Sequence, residues 1–230
     1  QEMKFRPEAF LRTLDLYRQL VEDNPAQLTL LPETAVPAFF DQLPPDYADS
    51  LKSAAQKHGG DLVFGTITGQ GEHYWNSAVS LGNSPAQSYS KTHLVPFGEF
   101  IPPGFSWFLR LASIPMSSFS RGPEMQAPLA VAGQHVAVNI CYEDAFGEEI
   151  IRALPQAGIL ANLSNTAWFG HSLAQPQHLQ IARMRAVEVH ARQGMTPYAR
   201  YGNSVFLLLV CLCVLASQLP RRRQVAPVRP

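Results

Sequence analysis

Three residues of catalytic type follow short strand-like segments that lie far apart in the sequence. Glu33 follows the run LTLL at 28–31, Lys91 lies at the end of AQSYSK, and Cys141 ends VAVNIC. A thiol activated by a base can attack an acyl group, and a nearby cation stabilises the oxyanion that forms. Because ligands bind beyond the strand ends of α/β sheets, we expect the three side chains to meet in one cleft.

Each of these residues alone also has a structural explanation. A lone strand cysteine is most often a buried small hydrophobe, a glutamate after a strand is often a solvated cap, and a lysine at a strand end keeps a sheet edge soluble. Glu99 and Glu143 add two carboxylates near the same strand ends. If Cys141 occupies a sharp strand-to-helix turn, the backbone N–H of Tyr142 is the natural second oxyanion donor. The combination therefore favours an enzyme.

Helical and strand patterns alternate along the chain, and these elements must position the candidate residues. Helical spacing of apolar residues predicts helices at 8–22, 46–58, 147–154 and 177–192. Apolar runs between turn residues predict strands at 28–31, 61–67, 76–82, 86–93 and 158–165, with a hairpin turning at Ala132-Gly133-Gln134 before Cys141. Interleaved helices and strands predict an α/β fold or a layered α+β sandwich.

Composition excludes several classes of protein. Lysine and arginine balance aspartate and glutamate, so the formal net charge is zero and no basic footprint points to nucleic acid. Three cysteines are too few for the disulfide framework of a small secreted domain. Cys211 and Cys213 lack histidine or acidic neighbours, which favours packing or lipid-facing residues over a metal pair.

The C-terminal part of the chain has the composition of a membrane segment. The uncharged run VFLLLVCLCVLASQL at 205–219 precedes RRR at 221–223. Extension back to Tyr198 gives two tyrosines at one end and three arginines at the other. This pattern predicts a transmembrane helix at 198–219 and a basic cytoplasmic tail at 220–230, with the preceding residues on the opposite side of the membrane. The alternative is a buried C-terminal helix of a soluble protein.

Four motifs around the candidate residues carry a family resemblance. LPETAVP contains Glu33, YSKTHLVPFGEFIP contains Lys91 and Glu99, ICYED contains Cys141, and SNTAWFG follows at 164–170. In this order they resemble the nitrilase superfamily. Within this superfamily the chain resembles the apolipoprotein N-acyltransferase family more than the soluble nitrilases. The motifs that carry this closer resemblance are VPFGEF, QHLQIARMRAVE and GMTPYARYGN. The resemblance implies a nitrilase-like αββα sandwich over residues 1–197.

The resemblance also implies roles for individual residues. Glu33 is then the general base, Lys91 the oxyanion-stabilising lysine and Cys141 the nucleophile. Glu99 and Glu143 match further essential carboxylates, and Tyr142 matches the residue beside the nucleophile. Asn165, Trp168 and Phe169 of SNTAWFG are substrate-binding candidates, with core packing as the alternative for the two aromatic residues.

The implied reaction is a two-step acyl transfer. Cys141 takes an acyl chain from a membrane phospholipid, typically phosphatidylethanolamine, and forms a thioester. The α-amino group of the diacylglyceryl-cysteine of an apolipoprotein then attacks to give an amide. The family resemblance implies no metal or organic cofactor, no nucleic-acid partner, and a place at the bacterial inner membrane with the catalytic domain on the periplasmic side.

The sequence departs from that family in two places. The family has transmembrane helices and a first sandwich strand before the point where this chain starts. VEVHARQ also runs directly into GMTPYAR, which predicts a loss of strands near 192–194 and an incomplete sandwich. A soluble nitrilase-type amidase, or an inactive fragment that acts only as a binding module, therefore remain alternatives.

Two further segments have open interpretations. The aromatic stretch at 100–119 is either a lid that dips into lipid or an amphipathic helix packed on the core. His171 and His178 suggest a Cys-His dyad, although a solvated loop and a helix cap are the simpler explanation.

Overall fold

The computed structural model describes residues 7–105, 118–170, 172–188 and 196–218. Within these ranges helices and strands alternate as the sequence predicts. Their order is α1 (Pro7–Asp23), β1 (Leu28–Leu30), α2 (Pro45–Lys57), β2 (Asp61–Gln70), β3 (His73–Gly82), β4 (Ser88–Ser90), β5 (Leu129–Val131), β6 (Gln134–Ile140), α3 (Gly147–Ile150), β7 (Ile159–Leu163), α4 (Ala174–Glu188), α5 (Pro197–Tyr201) and α6 (Ser204–Gln218).

The described strands form two sheets. The first has the order β1-β2-β3-β4, with β1 parallel to β2 and antiparallel pairing elsewhere. The second has the order β5-β6-β7, with β5 antiparallel and β7 parallel to β6. Parallel neighbours need a crossover. Helix α2 lies in the crossover from β1 to β2, and α3 lies in the crossover from β6 to β7.

The two sheets pack face to face, and α1 and α2 cover the outer face of the first sheet. Side chains alternate along β2, so Val63 points to the second sheet and joins a buried cluster with Val136 and Ile140. Its neighbours Leu62 and Phe64 point the other way and pack against α1 and α2. Because the two sheets pack in this way, the ends of β1, β4 and β6 lie around one region between them.

Two tight turns fix the hairpins. The β5–β6 turn has positive φ at Ala132 and Gly133, the conformation of a type I′ hairpin, and confirms the predicted turn there. The β2–β3 turn has φ of 62° at Gly71. The two turns set the register of their hairpins, with Val131 opposite Gln134 and Gln70 opposite His73.

Strand β4 is shorter than the predicted strand at 86–93. Only Ser88–Ser90 pair with β3. The backbone N–H groups of Thr92 and His93 donate to the carboxylate of Glu143 and are therefore not available to a neighbouring strand. The chain leaves the sheet at the residue where the candidate lysine begins.

The predicted helices at 147–154 and 177–192 also have different bounds. The first is a short α3 that continues as a 3-10 turn over Ile151–Ala153. The second, α4, begins at Ala174 and is described to Glu188. Residues 189–195, where strands are predicted to be missing, lie outside the described residues.

A transmembrane helix at 198–219 is not supported. The segment contains two helices, α5 and α6, separated at Gly202, which has φ of 56°. Helix α6 has 15 residues and is therefore about 22 Å long, against a hydrocarbon core of about 30 Å. Within the described ranges, no helix combines the length and apolarity needed to cross a membrane. The predicted basic tail at 220–230 lies outside the described residues.

The alternative of a buried C-terminal helix is also wrong. Phe206 and Leu215 of α6 are 66% and 64% exposed, and the other large apolar side chains of this helix are exposed as well. Residues 106–117 of the predicted lid lie outside the described residues, so its two interpretations both stay open.

Candidate active site

Glu33 lies in the loop after β1 and is only 6% exposed. Two donors hold its carboxylate: Asn76 Nδ2 lies 2.8 Å from Oε1, and the backbone N of Asn165 lies 3.0 Å from Oε2. The loop passes close to β2 at Gly65, where a Cβ would lie 2.6 Å from the Cα of Glu33. Glycine at this position therefore lets the Glu33 loop approach the sheet.

Lys91 follows β4 and is almost completely buried, with 1% exposure. Its backbone N–H donates to Asn76 O at 2.8 Å, which keeps the residue beside β3 after the strand ends. Its Nζ lies 2.9 Å from Glu99 Oε1 and 3.6 Å from Glu33 Oε1. A buried ammonium needs such partners. Burial alone would lower the pKa of Lys91, but Glu33, Glu99 and Cys141 raise it, so the amine is charged.

Cys141 follows β6 and begins a 3-10 turn over Cys141–Ala145. Its φ of 53° is unusual for a residue with a side chain and confirms the predicted sharp turn. Burial and, after it, the Glu33 charge raise the pKa of its thiol to about 12, although Lys91 and the N–H of Tyr142 lower it in part. The raised pKa keeps the thiol protonated at neutral pH.

The sequence-predicted triad is thus brought together. Cys141 interacts electrostatically with Glu33, Lys91 and Glu99, and its thiol accepts a hydrogen bond from the backbone N–H of Tyr142. A carboxylate, an ammonium and a protonated thiol share one partly buried site. The arrangement can take the proton from the thiol with Glu33 and stabilise an oxyanion with Lys91 and the Tyr142 N–H.

Glu143 connects the strand ends that carry this site. Its carboxylate accepts backbone N–H groups from Thr92 at 2.6 Å, His93 at 3.0 Å and Ile140 at 2.7 Å. The hydroxyl of Tyr89 donates to both carboxylate oxygens at 3.0 Å. Burial raises the pKa of Glu143, and these donors lower it in part.

Tyr142 lies at the more exposed side of the site. Its side chain is 39% exposed and packs edge-on against His93, at a ring distance of 5.7 Å, and Phe146, at 5.0 Å. His93 stacks on Phe146 at 3.5 Å, and its Nδ1 lies 3.0 Å from Glu149 Oε1. The backbone of Tyr142 faces the thiol, and its ring belongs to an aromatic cluster beside it.

The three substrate-binding candidates have different surroundings. The backbone of Asn165 supports Glu33, and its side chain accepts the N–H of Ala167 at 3.2 Å to cap a 3-10 turn. Phe169 is 48% exposed. The side chain of Trp168 lies outside what the structure describes. Substrate binding by these residues stays a prediction.

Neither of the two histidines suggested as a dyad has a described contact with the Cys141 thiol; the side chain of His178 contacts Ser164 and Asp144. His178 pairs through Nδ1 with Asp144 Oδ2 at 3.1 Å, and His171 lies outside the described residues. Cys211 and Cys213 are exposed on α6. Among the residues that the structure describes, no group of three or more His, Cys, Asp or Glu could hold a metal ion.

Sequence reasoning missed Asn76 and Tyr89. Asn76 is 4% exposed, and its Nδ2 bridges Glu33 Oε1 at 2.8 Å and Glu99 Oε1 at 2.9 Å. An amide side chain in the middle of a predicted strand was the available signal, because polar groups buried in a sheet need partners. Tyr89 gave no such signal, since a tyrosine in a strand is commonplace.

The family follows from a sequence comparison. The family model described as Carbon-nitrogen hydrolase matches residues 2–191, which is most of the chain. The chain belongs to the carbon-nitrogen hydrolase family. Solved structures of similar fold include a carbon-nitrogen hydrolase from Helicobacter pylori G27, with a TM-score of 0.53 at 21% identity, covering 79% of this chain and 64% of that one. A C145A mutant of the Nesterenkonia AN1 amidase has a TM-score of 0.55 at 22% identity, covering 80% and 68%.

Curated members of the same family agree with the closer resemblance. The apolipoprotein N-acyltransferase of Nitrosomonas europaea is 42% identical, covering 95% of this chain and 52% of the relative. That of Ralstonia nicotianae is 38% identical, covering 97% and 51%. This confirms the resemblance to apolipoprotein N-acyltransferases and the nitrilase-like α/β fold. The chain spans about half the length of the curated relatives it matches.

Proposed function

We propose that this chain carries the catalytic domain of an apolipoprotein N-acyltransferase. In this proposal Cys141 is the nucleophile, Glu33 the general base and Lys91 the oxyanion-stabilising cation. The observation that carries the proposal is the convergence of Glu33, Lys91 and Cys141 in one site. Similarity to relatives named apolipoprotein N-acyltransferase supports the choice of reaction over amide hydrolysis.

In the first step an ester of the phospholipid donor is broken. Glu33 takes the proton of the Cys141 thiol, and the sulfur attacks the ester carbonyl. Lys91 and the N–H of Tyr142 stabilise the oxyanion. When the C–O bond breaks, the protonated Glu33 gives its proton to the departing alcohol oxygen of the lysophospholipid. Cys141 then carries the acyl chain as a thioester.

In the second step the thioester is broken by an amine. The α-amino group of a diacylglyceryl-cysteine attacks the thioester carbonyl, and Glu33 takes a proton from the nitrogen. The same two donors stabilise the second oxyanion. The C–S bond breaks, the sulfur is reprotonated by Glu33, and an amide is released. Thiolate leaves readily, which makes a cysteine better suited than a serine to transfer from ester to amide.

Glu99 and Glu143 have supporting roles in this mechanism. Glu99 and Asn76 fix the ammonium of Lys91 beside Glu33. Glu143 holds the backbone after Lys91 against the turn at Cys141. Asn165 orients the Glu33 carboxylate through its N–H, and Phe169 is a candidate to contact the acyl chain.

The donor and acceptor we propose are phosphatidylethanolamine and a diacylglyceryl apolipoprotein. A phospholipid donor requires the site to work next to a bilayer, so we place the domain at the periplasmic face of the bacterial inner membrane. Water must be kept from the thioester, because hydrolysis competes with aminolysis.

The proposal is tested by amide formation. The full chain in mixed micelles is incubated with acyl-labelled phosphatidylethanolamine and a diacylglyceryl-cysteine peptide with a free α-amino group. We expect labelled N-acyl peptide with the free amine, none with an N-acetylated control peptide, and none with the Cys141→Ala variant. Release of ammonia from small aliphatic amides without acyl transfer would instead identify an amidase, and absence of both activities would contradict the proposal.

A further inference from the structure

A chain of hydrogen bonds leads from the backbone carbonyl of Cys141 into the protein. Asn162 Nδ2 donates to Cys141 O at 3.1 Å, and Asn162 Oδ1 accepts from Ser164 Oγ. Ser164 Oγ lies 3.2 Å from His178 Nε2. His178 Nδ1 lies 3.1 Å from Asp144 Oδ2. The hydrogen bonds therefore lead from Cys141 to His178, and His178 pairs with Asp144, three residues after Cys141 on the same turn.

The turn that it supports is strained. The φ of 53° at Cys141 is adopted by a residue with a Cβ only when its surroundings hold it there. The direction of the Sγ depends on this backbone conformation. A hydrogen bond to the carbonyl of Cys141 is thus well placed to keep the sulfur between Glu33, Lys91 and the N–H of Tyr142.

We infer that Asn162 is a positioning residue for the nucleophile, and that Ser164 and His178 fix the orientation of its amide. The inference rests on the proposed function, because it assigns the Asn162 contact to the reactivity of Cys141. Asn162 lies on β7, which is parallel to β6, and its Cα partner in the sheet is Asn139. The pairing of β7 with β6 therefore places the Asn162 side chain next to Asn139, which lies two residues before Cys141.

The donors and acceptors between Cys141 and Ser164 have one consistent assignment. The carbonyl of Cys141 can only accept, so the atom of Asn162 that faces it is the amide nitrogen. The amide oxygen then faces Ser164, whose hydroxyl must donate to it. The serine oxygen in turn lies 3.2 Å from His178 Nε2 and accepts a hydrogen bond from it when that nitrogen carries the proton. Each group thus fixes the next, which is how a buried polar network specifies one geometry.

A hydrolytic triad has a serine next to a histidine that is next to an aspartate. The same order of contacts joins Ser164, His178 and Asp144. The described contacts favour positioning instead. The hydroxyl proton of Ser164 is directed to Asn162 and not to the imidazole. The N–H of the next residue, Asn165, is already given to Glu33 and is not available to stabilise an oxyanion at Ser164.

The test measures acylation of Cys141 in the full chain with a p-nitrophenyl acyl ester, with the adduct located by peptide mass spectrometry to separate it from Cys211 and Cys213. Asn162→Leu removes the donor without adding charge. We expect its kcat to fall about tenfold with KM within about twofold, because the hydrogen bonds that join the Asn162 amide to Cys141 O, Asn139 Oδ1 and Ser164 Oγ are lost. The control Asn24→Leu changes an exposed amide and should keep both constants at the wild-type value.

A pair of variants at His178 separates positioning from a general loss of stability. His178→Gln keeps an N–H that can donate to Ser164, and should retain kcat within about twofold. His178→Leu should lose several-fold. All variants are measured at a temperature where circular dichroism shows them fully folded.

Each outcome has a different meaning. Wild-type chain that forms no adduct on Cys141 overturns the proposed function itself. An adduct that forms equally fast in Asn162→Leu overturns the positioning role and leaves the proposed function intact. Equal losses in the Gln and Leu variants of His178 overturn the hydrogen-bond chain. Covalent labelling of Ser164 by a fluorophosphonate probe would make it a nucleophile and would also overturn the inference.

Discussion

Oε1 of Glu143 accepts the backbone N–H of Thr92 at a distance of 2.6 Å. This contact joins the turn that begins at Cys141 to the residue that follows Lys91. The two residues come from different sheets, so the carboxylate acts as a link across the sandwich. The position of the ammonium relative to the thiol depends on it.

We therefore expect Glu143→Gln to destabilise the fold. Glutamine has one acceptor oxygen, and its amide nitrogen would face backbone N–H donors that the carboxylate now accepts. The loss is about 1–3 kcal/mol in the free energy of unfolding, measured by urea denaturation. Glu72→Gln changes an exposed carboxylate and should leave the midpoint unchanged. An unchanged midpoint in both variants would show that the link carries no stability.

Lys91→Arg should abolish most activity although it keeps the charge. The ammonium is 1% exposed and fits between Glu33 and Glu99, whereas a guanidinium is larger, planar and has a different donor geometry. We expect acyl transfer to fall about a hundredfold or more, the cost of losing an oxyanion donor. Lys52→Arg, at an exposed position, is the matched control. Near-normal activity of Lys91→Arg would show that Lys91 only contributes charge.

Glu33→Gln should make the Cys141 thiol easier to alkylate and at the same time slow acyl transfer. Burial and the Glu33 carboxylate raise the pKa of the thiol to about 12, while Lys91 lowers it. Without the negative charge, the pKa falls, so alkylation by iodoacetamide should begin at lower pH. Acyl transfer should nevertheless fall about a hundredfold or more because the base is lost. An alkylation profile that does not move would mean that Glu33 does not act on the thiol.

A second carboxylate, that of Asp61, links the two sheets away from the candidate site. Asp61 on β2 accepts the N–H of Ser84 at 2.8 Å, its hydroxyl at 2.6 Å, and the N–H of Ala132 at 2.7 Å. Burial alone would raise the pKa of Asp61, but these hydrogen bonds lower it below the ordinary value of 3.8. Its stabilising effect is therefore present above the unfolded pKa and is lost as the pH falls through the folded pKa.

Asp61→Asn should accordingly lower stability by about 1–3 kcal/mol at neutral pH, because an amide replaces a buried acceptor of several donors. The difference from wild type should shrink below pH 3.8, where the wild-type carboxyl also protonates. Urea denaturation over a pH series measures this, with Asp49→Asn as the exposed control. A difference that stays constant with pH would contradict the assigned cause.

The sequence predicts the outline of the fold because local patterns define it. The hairpin at Ala132-Gly133 and the sharp turn at Cys141 both follow from short-range signals. The end of β4 does not, since Glu143 competes for the N–H groups of Thr92 and His93 from a distant part of the chain. The break between α5 and α6 at Gly202 was also missed, because an apolar run conceals one glycine with positive φ.

The sequence predicts the reactive residues of the candidate site but not the residues that hold them in place. Glu33, Lys91 and Cys141 each follow a strand-like segment, and such positions can be predicted from the sequence. Asn76 and Asn162 act through side chains that point inward from strands, and their partners are set by packing of the whole sandwich. A search for single motifs does not find residues whose role is to hold another residue.

The most direct test of this account is the acyl adduct itself. The full chain is incubated with acyl-labelled phosphatidylethanolamine without an acceptor, digested, and mapped by mass spectrometry before and after neutral hydroxylamine. We predict one hydroxylamine-sensitive acyl group on the peptide that contains Cys141, absent in Cys141→Ala. A wild-type chain without the adduct, or an equal adduct in Cys141→Ala, would contradict the account.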